Sequence, residues 1–296
     1  MIKKVVEISS AGTYLSVKLG QLIVRQDGTE KGRIPCEDIG VLLVDSPGVT
    51  YTHSVLTTLL AQGAAVVLCD GSHHPAGMLF ALESNTVQTE RFRQQLQAGQ
   101  PLKKRLWQQL VKAKIAHQAS IVADDQQTYR ALKALEKQVR SGDPDNIEAQ
   151  ASRQYWTSFL QHIEFKRRRD GAPPNNLLNY GYMVLRAAVA RALCSAGLLP
   201  TLGIHHRNRY NAFCLADDIV EPFRGFAEKK VKAVCEKYSE IDPLTQELKA
   251  QLLEILYQEI QIGDFSGPLM VGLHRTAASL QRCFAGQQKH LELPKV

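Results

Sequence analysis

Two hydrophobic periods divide the chain. Up to about Met78, short apolar runs over residues 5–8, 14–17, 22–24 and 39–44 sit between turn residues. The turns are Ser9-Ser10-Ala11-Gly12, Leu19-Gly20 and Asp27-Gly28, and the pattern predicts strands. Asp27-Gly28 is a turn dipeptide between the strand at Gln21-Leu22-Ile23-Val24 and another around Arg33-Ile34. Val55, Leu56, Leu59 and Leu60 predict a helix over 53–62, with Thr52 placed to cap it and Gly63 to end it. Residues 65–69 read as a buried strand. From about Asn85 the period becomes helical. Over 101–119, Leu102, Leu106, Leu110 and Ala113 share a face, with Lys103, Lys104, Lys112 and Lys114 elsewhere. Residues 128–139, 147–163, 176–196 and 243–262 also read as helices. The prediction is α+β: a small β-rich domain over 1–84, a linker over 85–100 and a larger all-α domain over 101–296.

Composition narrows the classes. The chain has 296 residues, 44% hydrophobic and 22% charged, which excludes wholesale disorder. Its 36 Lys and Arg against 29 Asp and Glu leave +7, a modest basic excess that admits a nucleic-acid partner. No apolar window reaches the roughly 18 residues of a membrane span. Met1-Ile2-Lys3-Lys4 lacks the apolar core of a secretory signal. The six cysteines form no CxxC pair, which argues against a zinc ribbon or a disulfide framework. A reduced, cytoplasmic protein without membrane contact is expected.

Three places carry candidate chemistry. Asp143-Pro144-Asp145-Asn146 can start a helix on which Glu148, Ser152, Tyr155 and Phe159 form one stripe. A carboxylate on an aromatic stripe needs a cationic partner, unless Asp145-x-x-Glu148 is a capping box. Gly203-Ile204-His205-His206-Arg207-Asn208 offers two histidines that point different ways, as a ligand or base, or as ordinary surface residues. In Asp217-Asp218-Ile219-Val220-Glu221-Pro222-Phe223-Arg224, helical spacing gathers acids on one face, unless Asp218-x-x-Glu221 is a cap. Pro222 makes the helix begin or bend there. Together these supply Glu, His and Glu on apolar helices. That donor set suits Mg²⁺ or Mn²⁺ and phosphoryl transfer on nucleic acid.

Asn146-Ile147-Glu148-Ala149-Gln150-Ala151-Ser152-Arg153-Gln154-Tyr155-Trp156 resembles the first signature of the CRISPR-associated adaptation integrases. Asn176-Leu177-Leu178-Asn179-Tyr180-Gly181-Tyr182, the Gly203 to Asn208 segment and the Leu215 to Arg224 segment resemble the next three, in order, and the last looks closest to the type II branch. The resemblance covers essentially the whole chain. It implies that Glu148, His206 and Glu221 bind a divalent metal, with His206 chosen over His205 because the family's histidine stands three after the glycine. It implies an integrase that joins the 3′-hydroxyl ends of short foreign DNA into the CRISPR repeat by transesterification. The helical part would be catalytic and the β-rich part would pair two copies. Dimers would then assemble on a small CRISPR-associated partner protein, with the type II effector nuclease and an accessory protein as further partners. Asp217 and Asp218 are candidates for supporting or capping the site. For DNA contact the candidates are Arg207, Arg209 and Arg224 beside the metal motifs, and the basic run Lys166-Arg167-Arg168-Arg169. Gly225-Phe226-Ala227-Glu228 departs from the family pattern of Pro and then Val-Asp, which bears on Glu228 and leaves Glu221 untouched. The alternatives are a metal-dependent nuclease on branched DNA or RNA, and a non-catalytic DNA-binding scaffold.

Overall fold

Asp27 and Gly28 both adopt positive φ, 50° and 79°, the backbone that a two-residue hairpin turn requires at both central positions. They join β3 (Gln21–Gln26) to β4 (Thr29–Pro35). The structure, a computed structural model, describes residues 3–71, 75–161, 165–168, 170–238, 241 and 244–295. Before this hairpin come β1 (Lys4–Ile8) and β2 (Thr13–Lys18). After it come β5 (Ile39–Val44), β6 (Thr50–Tyr51), α1 (His53–Ala61), β7 (Ala65–Cys69) and β8 (Pro75–Leu79). One sheet has the order β4-β3-β2-β6 and the other β1-β5-β7-β8, with β1, β5 and β7 parallel.

Every residue of β5 is buried, as expected for a parallel strand covered on both faces. Alternation sends its residues to two cores. Leu42 and Val44 meet Leu15, Leu22, Val55 and Leu59 from the other sheet and α1. Val41 and Leu43 join Ala65 and Val67 in the core of the helical region. Thr52 stands at the N-cap of α1, but its hydroxyl meets that of Ser54, 2.9 Å away, and makes no capping bond to the backbone. Gly63 follows the helix with φ 67°.

The helical region contains α3 (Gln100–Ile121), α4 (Gln126–Gln138), α5 (Ile147–Ser158), α6 (Asn175–Ser195), α7 (Cys214–Val220), α8 (Arg224–Lys237), α9 (Gln246–Leu253) and α10 (Leu269–Phe284). Three expectations need correction. The stretch 85–100, expected as a linker, carries α2 (Gln88–Gln97), whose Gln95 is buried and holds backbone groups of Leu199 and Leu202. The helix expected over 243–262 begins on Pro243, outside the described residues, and does not run to 262. After α9 and a 3-10 turn at Glu254–Tyr257, the chain forms a hairpin of β9 (Glu259–Ile262) and β10 (Phe265–Pro268). The region is therefore not all-α. Glu259-Ile260-Gln261-Ile262 alternates exposed and buried, the period of a strand. The helix expected over 147–163 ends at Ser158, and residue 163 lies outside the described residues. Among the described residues, no helix is long and apolar enough to cross a membrane. All six cysteines are free.

Candidate active site

The site begins on α3. Leu106, Leu110 and Lys114 recur every four residues, so Lys114 lies on the buried stripe and not on the solvent face where its charge suggests it belongs. It is 8% exposed. A buried ammonium needs anionic partners, and Lys114 has two. Its Nζ donates to Glu148 Oε1 and lies 2.6 Å from Glu221 Oε2. Burial alone would lower its pKa, but the fields of Glu221 and Glu148 outweigh that and raise it.

Glu148 is placed by the start of α5. Asn146, at φ 52°, makes no side-chain cap. The carboxylate of Asp143 accepts the backbone N–H groups of Ile147 and Glu148, each at 2.9 Å. Asp145 pairs with Arg140 instead. The capping-box reading of Asp145 and Glu148 is thereby overturned. Asp143 does the capping, and the Glu148 side chain is left for Lys114 and for the Ser152 hydroxyl, which donates to it at 3.2 Å.

Glu221 opens the 3-10 turn Glu221–Phe223, where Pro222 separates α7 from α8. Its Oε1 takes Arg224 Nη2 at 3.0 Å. Its Oε2 is in ion-pair contact with Lys114 but without hydrogen-bond geometry. Burial pushes its pKa up, yet Arg224, Lys114 and His206 together hold it below the ordinary carboxylate range.

The histidine segment hangs on Asp218, which is fully buried. Its carboxylate accepts the backbone N–H groups of Ile204, His205 and His206 at 2.5–3.1 Å, and His206 Nδ1 lies 2.7 Å from Oδ1. The capping reading of Asp218 and Glu221 also fails. Asp218 holds a distant loop, and its hydrogen bond raises the His206 pKa. Gly203 is required here, since a Cβ would lie 2.3 Å from the His206 carbonyl oxygen. His205 lies flat on Trp107, with ring centroids 4.1 Å apart, and His206 meets the same indole edge-on at 5.8 Å. Among the described residues, His206 Nε2 makes no hydrogen bond.

Beside His206 and Arg224 opens a cleft of about 620 Å³, also lined by Arg167, Arg186, Tyr182 and Asp217. Arg167 donates to Asn175 and Asn179 at 2.8 Å, and its guanidinium lies 5.5 Å from the Tyr182 ring centre; that of Arg224 lies at 4.8 Å. Arg186, which sequence reasoning did not single out, pairs with Asp217 at 2.7 Å. Lys166 and Arg168 are exposed, and Arg169 lies outside the described residues. Arg207 is exposed and donates to Gln100 at 2.8 Å, while exposed Arg209 lies over Tyr210 at 4.7 Å. Tyr182 donates to buried Glu228 at 2.6 Å, whose pKa burial pushes up despite that bond.

The structure therefore brings Glu148 and Glu221 together on one cation, with Arg224 attached, and sets His206 beside them on a separate support. Among the described residues, no three His, Cys, Asp or Glu side chains already gather as a metal-ligating group. The missed member is Lys114, and its four-residue spacing from Leu106 and Leu110 is the signal that would have found it.

The architecture has known relatives. A casposase bound to its integration product superposes with a TM-score of 0.81 at 18% identity, over 98% of this chain and 92% of that one. A chain of a Cas6-RT-Cas1–Cas2 complex gives 0.79 at 22% identity, over 98% of this chain and 36% of that one. These likenesses establish a shared fold. The CRISPR-associated endonuclease Cas1 of Neisseria meningitidis serogroup C (strain 8013) is 35% identical over 289 residues, 96% of this chain and 94% of its own. Residues 6–241 match the family described as CRISPR associated protein Cas1, a match over most of the chain, and the chain belongs to the Cas1 family.

Proposed function

We propose that the chain is a divalent-metal-dependent DNA integrase, in which the 3′-hydroxyl of a short DNA fragment attacks a phosphodiester of the CRISPR repeat. The observation that carries this reading is the convergence of Glu148 and Glu221 on one cation beside an arginine-lined cleft. The donor set fits a hard ion: both carboxylates already converge on a cation, and carboxylate oxygens are the ligands that Mg²⁺ and Mn²⁺ take. Glu148 and Glu221 would hold Mg²⁺ or Mn²⁺, and His206 would offer Nε2. When bound, the ion would lower the pKa of the attacking hydroxyl and neutralise charge on the phosphorus oxygens.

The chain's own residues supply the rest. Asp218 fixes the His206 ring through Nδ1, so that Nε2 is the nitrogen presented to the cleft. Arg224 and Arg167 are braced by Tyr182, and Arg186 by Asp217, so three guanidiniums stand ready for backbone phosphates. Such contacts give affinity that falls with salt and carries little sequence preference. The N-terminal strands would pair a second copy. The Cas1–Cas2 complex among the structural relatives supports a small partner protein of that kind.

A strand-joining assay tests the reading. A duplex with 3′-hydroxyl ends, a supercoiled plasmid carrying a repeat, the partner protein and Mn²⁺ or Mg²⁺ should give joined product. Glu148→Ala and His206→Ala should abolish joining and His205→Ala should retain it. Joining that survives Glu148→Ala would remove this site from consideration. A second reading, a nuclease using the same residues with water as nucleophile, is favoured by the name of the Neisseria relative, an endonuclease. Hydrolysis of branched DNA without joining would select it. The helix-cap version of a scaffold has lost its basis, since Asp143 caps α5.

A further inference from the structure

The proposed chemistry gives tasks to Glu148, His206 and Glu221 and none to Lys114, although its ammonium touches both carboxylates. Charge accounting shows why this matters. Glu148 and Glu221 contribute two negative charges, and Lys114 and Arg224 two positive ones, so the four side chains are neutral as they stand. A divalent ion added to this group would leave an excess of two positive charges in a place largely shielded from water, where like charges repel strongly. The ion and the ammonium also require the same oxygens. Glu148 keeps a 26% exposed side chain, so solvent reaches the group from the Glu148 side.

We propose that Lys114 is a built-in competitor for the divalent ion: its ammonium holds the two carboxylates in place, and loading the site expels it. This rests on the reading of Glu148 and Glu221 as metal ligands. The unloaded site would then be held together by its own cation, and metal would bind more weakly than two converging carboxylates allow. A DNA phosphate entering the cleft would supply the negative charge that favours the exchange.

The test uses the full chain and Mn²⁺ alone. Calorimetric titration of Lys114→Met should show Mn²⁺ bound about tenfold or more tightly than by the wild type, since the competing ammonium is gone from both carboxylates. The metal-free variant should also melt lower and recover more on adding Mn²⁺. A second measurement needs no variant. Amine acylation of the wild type, read by mass spectrometry, should label Lys114 faster with saturating Mn²⁺ than without it, while buried Lys249 stays unchanged. If Lys114→Met folds and binds Mn²⁺ no more tightly while Glu148→Gln weakens binding, the metal site stands and the competitor role is overturned. Equal Lys114 labelling with and without bound Mn²⁺ overturns it too, even where the variant does not fold. No Mn²⁺ binding by either protein would sink the metal reading together with this inference.

Discussion

Two lysines are buried in this molecule, and each neutralises two acids. Lys249 on α9, 4% exposed, bonds to Asp45 at the end of β5 and lies 3.8 Å from Glu7 on β1. Lys114 on α3 does the same for Glu148 and Glu221. The partners differ in access to water. The side chains of Asp45 and Glu7 are 0% and 8% exposed, so the Lys249 group is closed and ties the parallel sheet to the helical region. The Glu148 side chain is 26% exposed and meets solvent. A closed pair can only hold position. An open pair can change its cation, and this separates an anchor from a site built of the same chemistry.

Breaking the closed pair should cost most. Lys249→Met leaves Asp45 and Glu7 without their ammonium and should lose about 3–5 kcal/mol in urea unfolding. A loss no larger than that of Glu148→Gln would erase the distinction between the two lysines. Acid sharpens it next. Burial lowers the His117 pKa to about 4, while its Nδ1–H donates to the Pro222 carbonyl oxygen. The unfolded chain takes up that proton first, near the ordinary 6.5. Stability present above pH 6.5 is therefore lost as pH falls towards 4, by about 3 kcal/mol. Urea unfolding of His117→Gln at pH 7 and pH 4.5 should show a smaller difference than the wild type. A remaining slope is expected from His274, which burial and Arg191 also lower to about 4.

A third change strikes the support of the open pair. A Cβ on Gly225 would lie 2.4 Å from the His117 ring, directly after Arg224. Gly225→Ala should cost about 1–3 kcal/mol by overpacking and weaken joining through the shifted Glu221–Arg224 turn. A variant as stable and active as the wild type would show that the helix slides freely. Smallest in stability is Glu148→Gln, whose amide oxygen can still accept from Lys114 while Glu221 keeps its charge, and it should cost about 1 kcal/mol. The same change should abolish joining, and a large loss of stability would mean that the site too is an anchor.

Local pattern explains which parts of this were legible. The β3–β4 hairpin, β5, β7 and the long helices α3 and α6 follow from alternation, helical spacing and turn residues close at hand. The hairpin of β9 and β10 was hidden because Ile255, Ile260 and Ile262 continue an apparent helical run, although Gly263 turns at φ 57°. Glu148, His206 and Glu221 stood out as polar residues set into apolar or turn motifs. Lys114 did not, because a lysine among lysines reads as solvated surface. Its burial depends on two acids more than thirty and one hundred residues away. Both capping alternatives matched sequence rules and failed because other partners took the groups involved. Asp143, just upstream, takes the first two N–H groups of α5 in place of Asp145, and Asp218 turns away from its own helix to the backbone of residues 204–206.

Trp107 touches both histidines of the site, lying flat on His205 and edge-on to His206, and it is one of two tryptophans in the chain. Indole emission is quenched by a neighbouring protonated imidazole. The other tryptophan, Trp156, packs among Tyr155, Phe159 and Phe165, and among the described residues no histidine ring joins that cluster. The protein thus carries an optical gauge of its own histidines: Trp107 fluorescence should brighten whenever either ring sheds its proton, and Trp156→Phe would leave that signal against a dark background.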